Sequence, residues 1–250
     1  VPMTDRVCWF GDGVYEATAV RNGIIYCLDE HIDRFFNSAA FVEINIPYTK
    51  EELKKLLSEM VLKVDVSNTD NEALLYWQIP RGAEVPRNHI FPDCPARLWV
   101  TVTPRKLADV YREIKAISHE DIRFLMCNIK TLNLLPNVLA AQQAELAGAQ
   151  ESVFHRGDRV TECAHSNVHI IRNETLITAP TDNLILPGIA RAHIIAAANM
   201  LGYAVEERPF TVAEMMTADE IMISSAGSFC IAADAIDGIP VGGRSPEMLR

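Results

Sequence analysis

The sequence predicts an α+β protein, and three patterns carry that prediction. The first quarter of the chain alternates strand-like and helix-like segments, beginning with a hairpin over residues 14–20 and 24–28. Two helix signals with polar N-terminal caps follow the hairpin. The second half contains several strands separated by turns, with two longer helices among them. This mixture favours a small α/β domain followed by a larger domain of mostly antiparallel strands with helices outside.

Composition excludes several classes of protein. The chain has 250 residues and a mass of 27.8 kDa, and 49% of its residues are hydrophobic, so it can bury a core of its own. Its net charge is −10, and its lysines and arginines stand singly or in pairs, so no nucleic-acid partner is expected. No apolar run approaches the roughly 20 residues that a membrane-spanning helix needs, so no membrane partner is expected.

The cysteines indicate a reducing compartment. They are far apart and form no C-x-x-C pair, in a chain large enough to fold without disulfides. We therefore expect reduced thiols and a cytoplasmic protein. The six cysteines are Cys8, Cys27, Cys94, Cys127, Cys163 and Cys230.

Capping signals define the helices of the first half. A turn ending in Gly23 closes the hairpin, and Asp29 is the expected cap of a helix with apolar residues at helical spacing. Thr49 and Glu52 match a capping box, which predicts a second helix. The strands predicted next cover residues 73–79, 97–103 and 113–118.

A break in this pattern at residues 104–111 marks the expected domain boundary. We predict a small α/β domain over residues 1–104, a linker region over 105–118 and a larger domain over 119–250. In the larger domain, one helix is expected from Pro136 through Ala147, where Gly148 ends it. A second helix is expected over residues 189–200, and strands are expected over residues 152–156, 159–171, 220–225 and 229–236.

Lys130 is the first residue that suggests chemistry. It lies in an otherwise uncharged run, residues 126–132, where an ammonium group would lose hydration unless it had a partner. Desolvation lowers the pKa of an ammonium group and makes the amine nucleophilic. The alternative is a lysine whose ammonium group reaches water from a half-buried strand.

Several motifs together resemble the class IV, or fold-type IV, pyridoxal-phosphate enzymes. The motifs are FGDGVYE at residues 10–16, EHIDR at 30–34, KTLNLLPNVLA at 130–140, VTECAHSNV at 160–168 and LPGIAR at 186–191. They stand in the order and spacing of that family, over nearly the whole chain. The resemblance implies a small N-terminal α/β domain and a larger C-terminal pseudo-barrel domain that binds pyridoxal 5′-phosphate.

The resemblance also assigns roles to two residues. Lys130 matches the lysine that holds the cofactor as a Schiff base and moves the proton between the substrate Cα and the cofactor. Glu162 matches the carboxylate that faces the pyridine nitrogen and keeps it protonated. Without the resemblance, Glu162 would be interpreted as a solvated residue at the end of a strand, beside a turn.

Further residues match positions around the cofactor. Gly188, Ile189 and Ala190 open a predicted helix, whose backbone N–H groups and dipole suit a phosphate. Arg34 matches an arginine that would add a forked phosphate contact. The other implied cofactor contacts are Leu186 on the ring face, Arg123 on the side of the phenolic oxygen, and Ser225 with Ala226 on the phosphate side.

An Arg-x-His pair suggests how a substrate would be recognised. Arg87 and His89 can hold a carboxylate through a forked contact and an imidazole donor, and Tyr15 can add a hydroxyl. The alternative is a solvated loop flanked by proline. In the D-amino-acid branch of the family, the matching pair comes from the neighbouring subunit and binds the α-carboxylate. The resemblance therefore implies a homodimer with shared active sites.

The resemblance implies transamination between a D-amino acid, such as D-alanine, and an α-keto acid, such as 2-oxoglutarate. Residues 163–166 and the alanines at 190 and 226 depart from the hydroxyl-rich pattern of that branch. The alternatives within the family are an aminodeoxychorismate lyase and a branched-chain L-amino-acid aminotransferase. A cofactor-free or metal-binding scaffold is a further alternative, against which the intact Lys130 and Glu162 argue.

Three histidine and cysteine residues close together in the sequence are candidate metal ligands. Cys163, His165 and His169 share the spacing of one strand face, as zinc ligands would, but no fourth ligand is evident. We therefore predict no metal site. His31 and the other remaining histidines are expected at surface or boundary positions.

Overall fold

The computed structural model describes residues 2–249, and the chain divides into two compact units. The first unit comprises the residues up to Ala108 together with Ile129–Leu134. The second comprises Asp109–Asn128 and the chain from Leu135 onward. Residues 1 and 250, the outer ends of the predicted domains, lie outside the described residues. The predicted boundaries themselves stay predictions, and they did not include the return of Ile129–Leu134 to the first unit.

The first unit is built on a four-stranded antiparallel sheet in the order β2-β1-β3-β4. Its helices are α1 (Arg6–Phe10), α2 (Leu28–Phe41) and α3 (Lys50–Val61). Its strands are β1 (Gly13–Arg21), β2 (Ile24–Ile25), β3 (Glu72–Pro80) and β4 (Trp99–Pro104). Ile32, Phe35, Leu53, Leu57 and Trp77 are fully buried in a core that joins α2, α3 and β3. Alternating burial along β3 follows from the two-residue period of a strand with one covered face.

The second unit contains a nine-stranded mixed sheet that forms a half-barrel, in the order β10-β9-β8-β11-β12-β5-β6-β7 with β13 beside β12. Its strands are β5 (Glu113–Glu120), β6 (Glu151–Arg156), β7 (Arg159–Cys163), β8 (Asn167–Arg172), β9 (Thr175–Thr178), β10 (Ala204–Glu207), β11 (Glu220–Ser225), β12 (Phe229–Ile236) and β13 (Ile239–Pro240). Its helices are α4 (Leu135–Leu146), α5 (Ile189–Met200), α6 (Val212–Met216) and α7 (Pro246–Leu249). Phe210, Ile170 and Ile221 lie in its core.

The predicted fold class is confirmed, because both units combine helices with a β-sheet, antiparallel in the first unit and mixed in the second. The capping box of Thr49 and Glu52 is present at α3. Helix α5 has the bounds that its flanking Pro187-Gly188 and Gly202 predict. Over residues 2–249, no helix is both long enough and apolar enough to cross a membrane.

Three element predictions are wrong. The second strand of the hairpin, predicted over residues 24–28, ends at Ile25. Helix α2 begins at Leu28 rather than after Asp29, because Cys27 adopts a left-handed backbone and takes the N-cap position. The strand predicted over residues 159–171 is two strands, β7 and β8. A tight turn separates them, in which the N–H of Cys163 donates to the carbonyl of Ser166.

Candidate active site

Lys130 lies against Tyr15 in the first unit. The N–H of Tyr15 donates to the carbonyl of Lys130 at 3.0 Å, so Lys130 continues alongside the start of β1. The hydroxyl of Ser38 accepts from the N–H of Lys130 at 3.2 Å. The ammonium nitrogen of Lys130 stands 4.3 Å from the centre of the Tyr15 ring, within cation–π range. Backbone pairing therefore places a half-buried amine on an aromatic face.

Next to Tyr15, Glu16 points to the other side of β1 and is completely buried. Arg34 on α2 donates two hydrogen bonds to the Glu16 carboxylate, from Nε at 2.7 Å and from Nη2 at 2.9 Å. Nδ1 of His31, one helical turn before Arg34, lies 2.7 Å from the same carboxylate. Because an ionised carboxylate only accepts, the imidazole donates this bond. Lys130 adds a further positive charge nearby, as its effect on the Glu16 carboxyl indicates.

The pKa values of this group follow from its contacts. Burial alone would raise the pKa of Glu16, but Arg34 and His31 outweigh it and lower the pKa to about 2. Burial lowers the pKa of His31, against the opposing effect of Glu16, and so favours the neutral ring. Our expectation of a surface or boundary His31 is wrong, because the side chain is 1% exposed. One sign of this burial was visible beforehand, since His31 and Arg34 are three positions apart and share a helix face.

Glu162 organises the corresponding group of the second unit. It is buried on β7 and accepts from Arg123 Nη1, from Asn167 Nδ2 at 3.1 Å and from the N–H of Leu186 at 3.0 Å. Burial raises the pKa of the Glu162 carboxyl to about 7, and Arg123 offsets part of that rise. Glu162 is therefore buried, with hydrogen bonds to both carboxylate oxygens, and is not a solvated strand end.

Arg123 connects two carboxylates. Besides Glu162, it donates to both oxygens of Asp121 at 2.9 Å, and it lies over the ring of Phe154. These two anions raise the pKa of Arg123 above its ordinary value although burial opposes them. Asp121 also accepts from Arg156 at 3.1 Å. The predicted place of Arg123 on the side of the cofactor's phenolic oxygen stays a prediction, whereas its pairing with Glu162 was not predicted.

Asn167 ties Glu162 to the start of α5. Its Nδ2 donates to Glu162 and also to the carbonyl of Leu186 at 3.1 Å. A Cβ added at Gly188 would stand 1.9 Å from Oδ1 of Asn167, so any side chain there would displace the Asn167 amide group. Sequence reasoning missed Asn167, although its place in the motif with Glu162 was a usable signal.

Helix α5 offers backbone donors at its first turn. Gly188 is its N-cap and supplies no side-chain hydrogen bond to Ile189, Ala190 or the residues after them. Ser225 ends β11, and its hydroxyl accepts from the N–H of Ser228 at 3.1 Å, with Ala226 in the turn between. Residues 188–190 at the start of α5 and residues 225–226 after β11 are all partly exposed.

Arg87 and His89 lie on an exposed loop of the first unit. The guanidinium of Arg87 stands 4.3 Å from the centre of the Phe10 ring, and the imidazole of His89 is 5.1 Å from it. In the described part of the chain, no carboxylate pairs with Arg87.

The two histidines among the candidate metal ligands, His165 and His169, each bond to other protein groups. His169 is buried, and its two ring nitrogens bond Thr178 and Ser224 at 2.9 and 2.8 Å. His165 pairs with Glu151 at 3.2 Å. Among residues 2–249, Cys163, His165 and His169 are not gathered within ligating distance.

Comparison with known proteins decides the family. The family model for amino-transferase class IV matches residues 13–236. This chain belongs to the class IV aminotransferases. A D-alanine aminotransferase of Listeria monocytogenes serotype 1/2a (strain 10403S) is 43% identical over 98% of the chain and 86% of that protein. One from Bacillus licheniformis is 37% identical over 100% of the chain and 87% of that protein.

The fold agrees with this class IV assignment. A solved fold IV-transaminase, CpuTA1 from Curtobacterium pusillum, aligns with a TM-score of 0.86 at 22% identity, over 99% of this chain and 87% of the other. Class IV aminotransferases are pyridoxal-phosphate enzymes that act on small amino and keto acids. The motif resemblance seen in the sequence is therefore confirmed at the level of the family and its fold.

Proposed function

We propose that this class IV aminotransferase moves the amino group of a D-amino acid, such as D-alanine, to an α-keto acid, such as 2-oxoglutarate. The observation that carries the proposal is the 37–43% identity to D-alanine aminotransferases over nearly the whole chain. The Arg87 and His89 pair supports it, because both side chains are exposed and suited to a carboxylate.

The donor sets of the two units suit pyridoxal 5′-phosphate as the cofactor. The first turn of α5 has no side-chain cap at Gly188, so its backbone N–H groups are suited to a phosphate. Glu162 is a buried carboxylate, which suits a protonated pyridine nitrogen. Lys130 carries its amine over the Tyr15 ring, and no carboxylate within residues 2–249 forms an ion pair with it.

Each residue then has a definite task. When bound, the cofactor supplies an electron sink for the carbanion formed at the substrate Cα. The Lys130 amine would hold the cofactor through its aldehyde, and would serve as the base and then the acid for the proton of the substrate Cα. Glu162 would keep the pyridine nitrogen protonated, and Arg123 and Asn167 hold the Glu162 carboxylate in place.

The remaining predicted contacts complete the proposal. The N–H groups of Ile189 and Ala190 would bind the phosphate with the help of Ser225 and the backbone of Ala226. Arg34 would add charge from α2, where Glu16 already fixes its guanidinium. Leu186 would pack on the ring face, and Tyr15 would offer a hydroxyl to the substrate.

We also propose a cytoplasmic homodimer. Six scattered cysteines support a reducing compartment. Helix α4 supports a second copy, because Leu135, Val138, Leu139 and Leu146 project from one side of it and remain exposed. In such a dimer, Arg87 and His89 would act in the neighbouring subunit.

A visible absorption spectrum tests the proposal. Purified protein loaded with pyridoxal phosphate is expected to lose its yellow band on addition of D-alanine, with pyruvate formed, and to keep it with L-alanine. A band that neither enantiomer changes would instead favour the lyase or the branched-chain enzyme, assayed with aminodeoxychorismate and L-leucine. A protein that stays colourless with added pyridoxal phosphate would refute the cofactor assignment.

Lys130→Ala is the matching variant. We expect it to bind the cofactor without the covalent link, so borohydride should no longer fix the cofactor to the chain, and turnover should fall by at least about a thousandfold. Lys115→Ala, on β5, is a control that leaves Lys130 in place. Normal turnover by Lys130→Ala would overturn the mechanism.

A further inference from the structure

The loop that carries Arg87 and His89 needs an anchor. It belongs to the 18-residue connection between Pro80 at the end of β3 and Trp99 at the start of β4, which contains no strand. Arg87 and His89 are exposed, so neither is fixed by packing into the core. Long connections without secondary structure are mobile unless other residues hold them.

Arg6 on α1 holds this loop through its backbone. Its Nη1 donates to the carbonyl of Asn88 at 2.5 Å and to that of Ile90 at 3.3 Å, and its Nη2 approaches the carbonyl of His89 at 3.4 Å. One guanidinium thus reaches three consecutive carbonyls, starting directly after Arg87. A lysine has one nitrogen and cannot reproduce this forked contact.

Phe10, at the other end of α1, holds the side chains of the same loop. The guanidinium carbon of Arg87 lies 4.3 Å from its ring centre, and the His89 ring centre lies 5.1 Å away. Arg6 contacts the same ring at 4.7 Å. A guanidinium stacked on a ring keeps its N–H groups in its own plane, at its edges, where a carboxylate can reach them.

The anchor itself is fixed to the interior. Arg6 is 4% exposed, and its Nε donates to Asp12 at 2.7 Å. Arg81 donates to the same carboxylate at 3.0 Å and to the carbonyls of Val42 and Glu43, just past α2. The N–H of Arg6 also donates to the carbonyl of Gly82 at 2.9 Å. Arg6 therefore has no freedom to follow a moving loop.

We propose that Arg6 and Phe10 are positioning residues that set the place of Arg87 and His89, and through them the affinity for the substrate carboxylate. The inference rests on the proposed function, in which Arg87 and His89 bind that carboxylate. Neither residue needs to touch the substrate, because each acts through the loop that it holds.

The test compares KM and kcat of the holoenzyme for D-alanine. Arg6→Lys keeps a cation beside Asp12 but loses the forked contact, so KM should rise about tenfold, while kcat stays within about twofold. Phe10→Leu should also raise KM, and Phe10→Tyr, which keeps the ring, should restore it. Arg21→Lys is the matched control, because Arg21 pairs with Glu72 in the same unit and touches no residue of this loop.

A double-mutant cycle separates positioning from general damage. If Arg6 acts through Arg87 and His89, then adding Arg6→Lys to a variant that carries both Arg87→Ala and His89→Ala should raise KM no further. Effects that multiply, or an unchanged KM in both Arg6→Lys and Phe10→Leu, would overturn the inference alone. If Arg87→Ala itself leaves KM unchanged, the carboxylate assignment of the proposed function fails, and the inference fails with it.

Discussion

Glu16 and Glu162 are both buried carboxylates, but their surroundings shift their pKa values in opposite directions. Glu16 has a bidentate arginine and an imidazole donor, which together outweigh the cost of burial. For Glu162, burial outweighs Arg123, whose charge is shared with Asp121. A carboxyl whose pKa lies near neutrality, such as Glu162, can change its charge when a second cationic group approaches, whereas Glu16 stays ionised near neutral pH.

Glu16→Gln should reveal the depressed pKa of Glu16 as a pH-dependent loss of stability. The folded pKa of about 2 lies below the ordinary value of 4.5, so the stabilisation is fully present above about pH 4.5 and disappears as the pH falls through 2. Above pH 4.5 we expect a loss of about 3 kcal/mol in the free energy of unfolding. Urea denaturation of the cofactor-free protein at several pH values measures it.

The control for this experiment is Glu59→Gln, which changes an exposed glutamate whose lysine partner is 4.0 Å away. Such a pair contributes little, so no pH-dependent difference is expected. A difference between wild type and Glu16→Gln that stays constant between pH 6 and pH 3 would contradict the assignment.

At the scale of single residues, sequence could find groups with distinctive chemistry but not their partners. Lys130 stood out because it lies in an uncharged run. His31 did not, because its burial depends on β1 covering α2 and on Glu16 arriving from 15 residues away. Likewise, nothing local joins Arg123 to Glu162, which are 39 positions apart and meet only when β7 forms.

Among the elements, the start of α5 is the most constrained. Gly188 leaves room for Asn167, whose amide group joins the carbonyl of Leu186 to Glu162. A side chain at position 188 would push Asn167 away and would disturb the helix start and the glutamate together.

Gly188→Ala is therefore expected to reduce stability and cofactor binding at once. Its Cβ would overlap Oδ1 of Asn167, which costs about 1–3 kcal/mol in the free energy of unfolding. We expect the dissociation constant for pyridoxal phosphate to rise in parallel, as measured by titration of the visible band. Gly227→Ala is the control for stability, because nothing lies within 4 Å of its added Cβ. Equal stability of the two variants would refute this account.

Elements could be predicted where local residues set their ends. Pro187-Gly188 and Gly202 fix α5, and Thr49 with Glu52 fixes the start of α3. The start of α2 was missed because Cys27 takes an uncommon left-handed conformation that its sequence does not announce. The division between β7 and β8 was missed because the turn between them, residues 164–166, contains neither glycine nor proline.

For the whole molecule, the apolar side of α4 is one surface that the described part of the chain leaves uncovered. Ala140 and Ala144 face the unit's interior, while Leu135, Val138 and Leu139 lie on the opposite side with more than half of their surface exposed. In the proposed homodimer, a second copy of the chain packs against this side of α4.

Val138→Arg should therefore separate the subunits. The wild-type chain is expected to sediment at about twice 27.8 kDa, and the variant should sediment as a monomer, because a buried cation without a partner opposes association. Met200→Arg, at an 87% exposed position on α5, should leave the dimer intact. A wild-type chain that sediments as a monomer would refute the proposed homodimer.

The path of the chain through the two units limits how this protein could have been assembled or could be re-engineered. Six residues, Ile129–Leu134, return to the first unit after Asp109–Asn128 has entered the second. If the first 108 residues were exchanged as one block between related proteins, Tyr15 and Ser38 would come from one parent and Lys130, which contacts both, from the other. Working chimaeras therefore need two further junctions, one on each side of this short segment. Lys130 and β1 should consequently be inherited together.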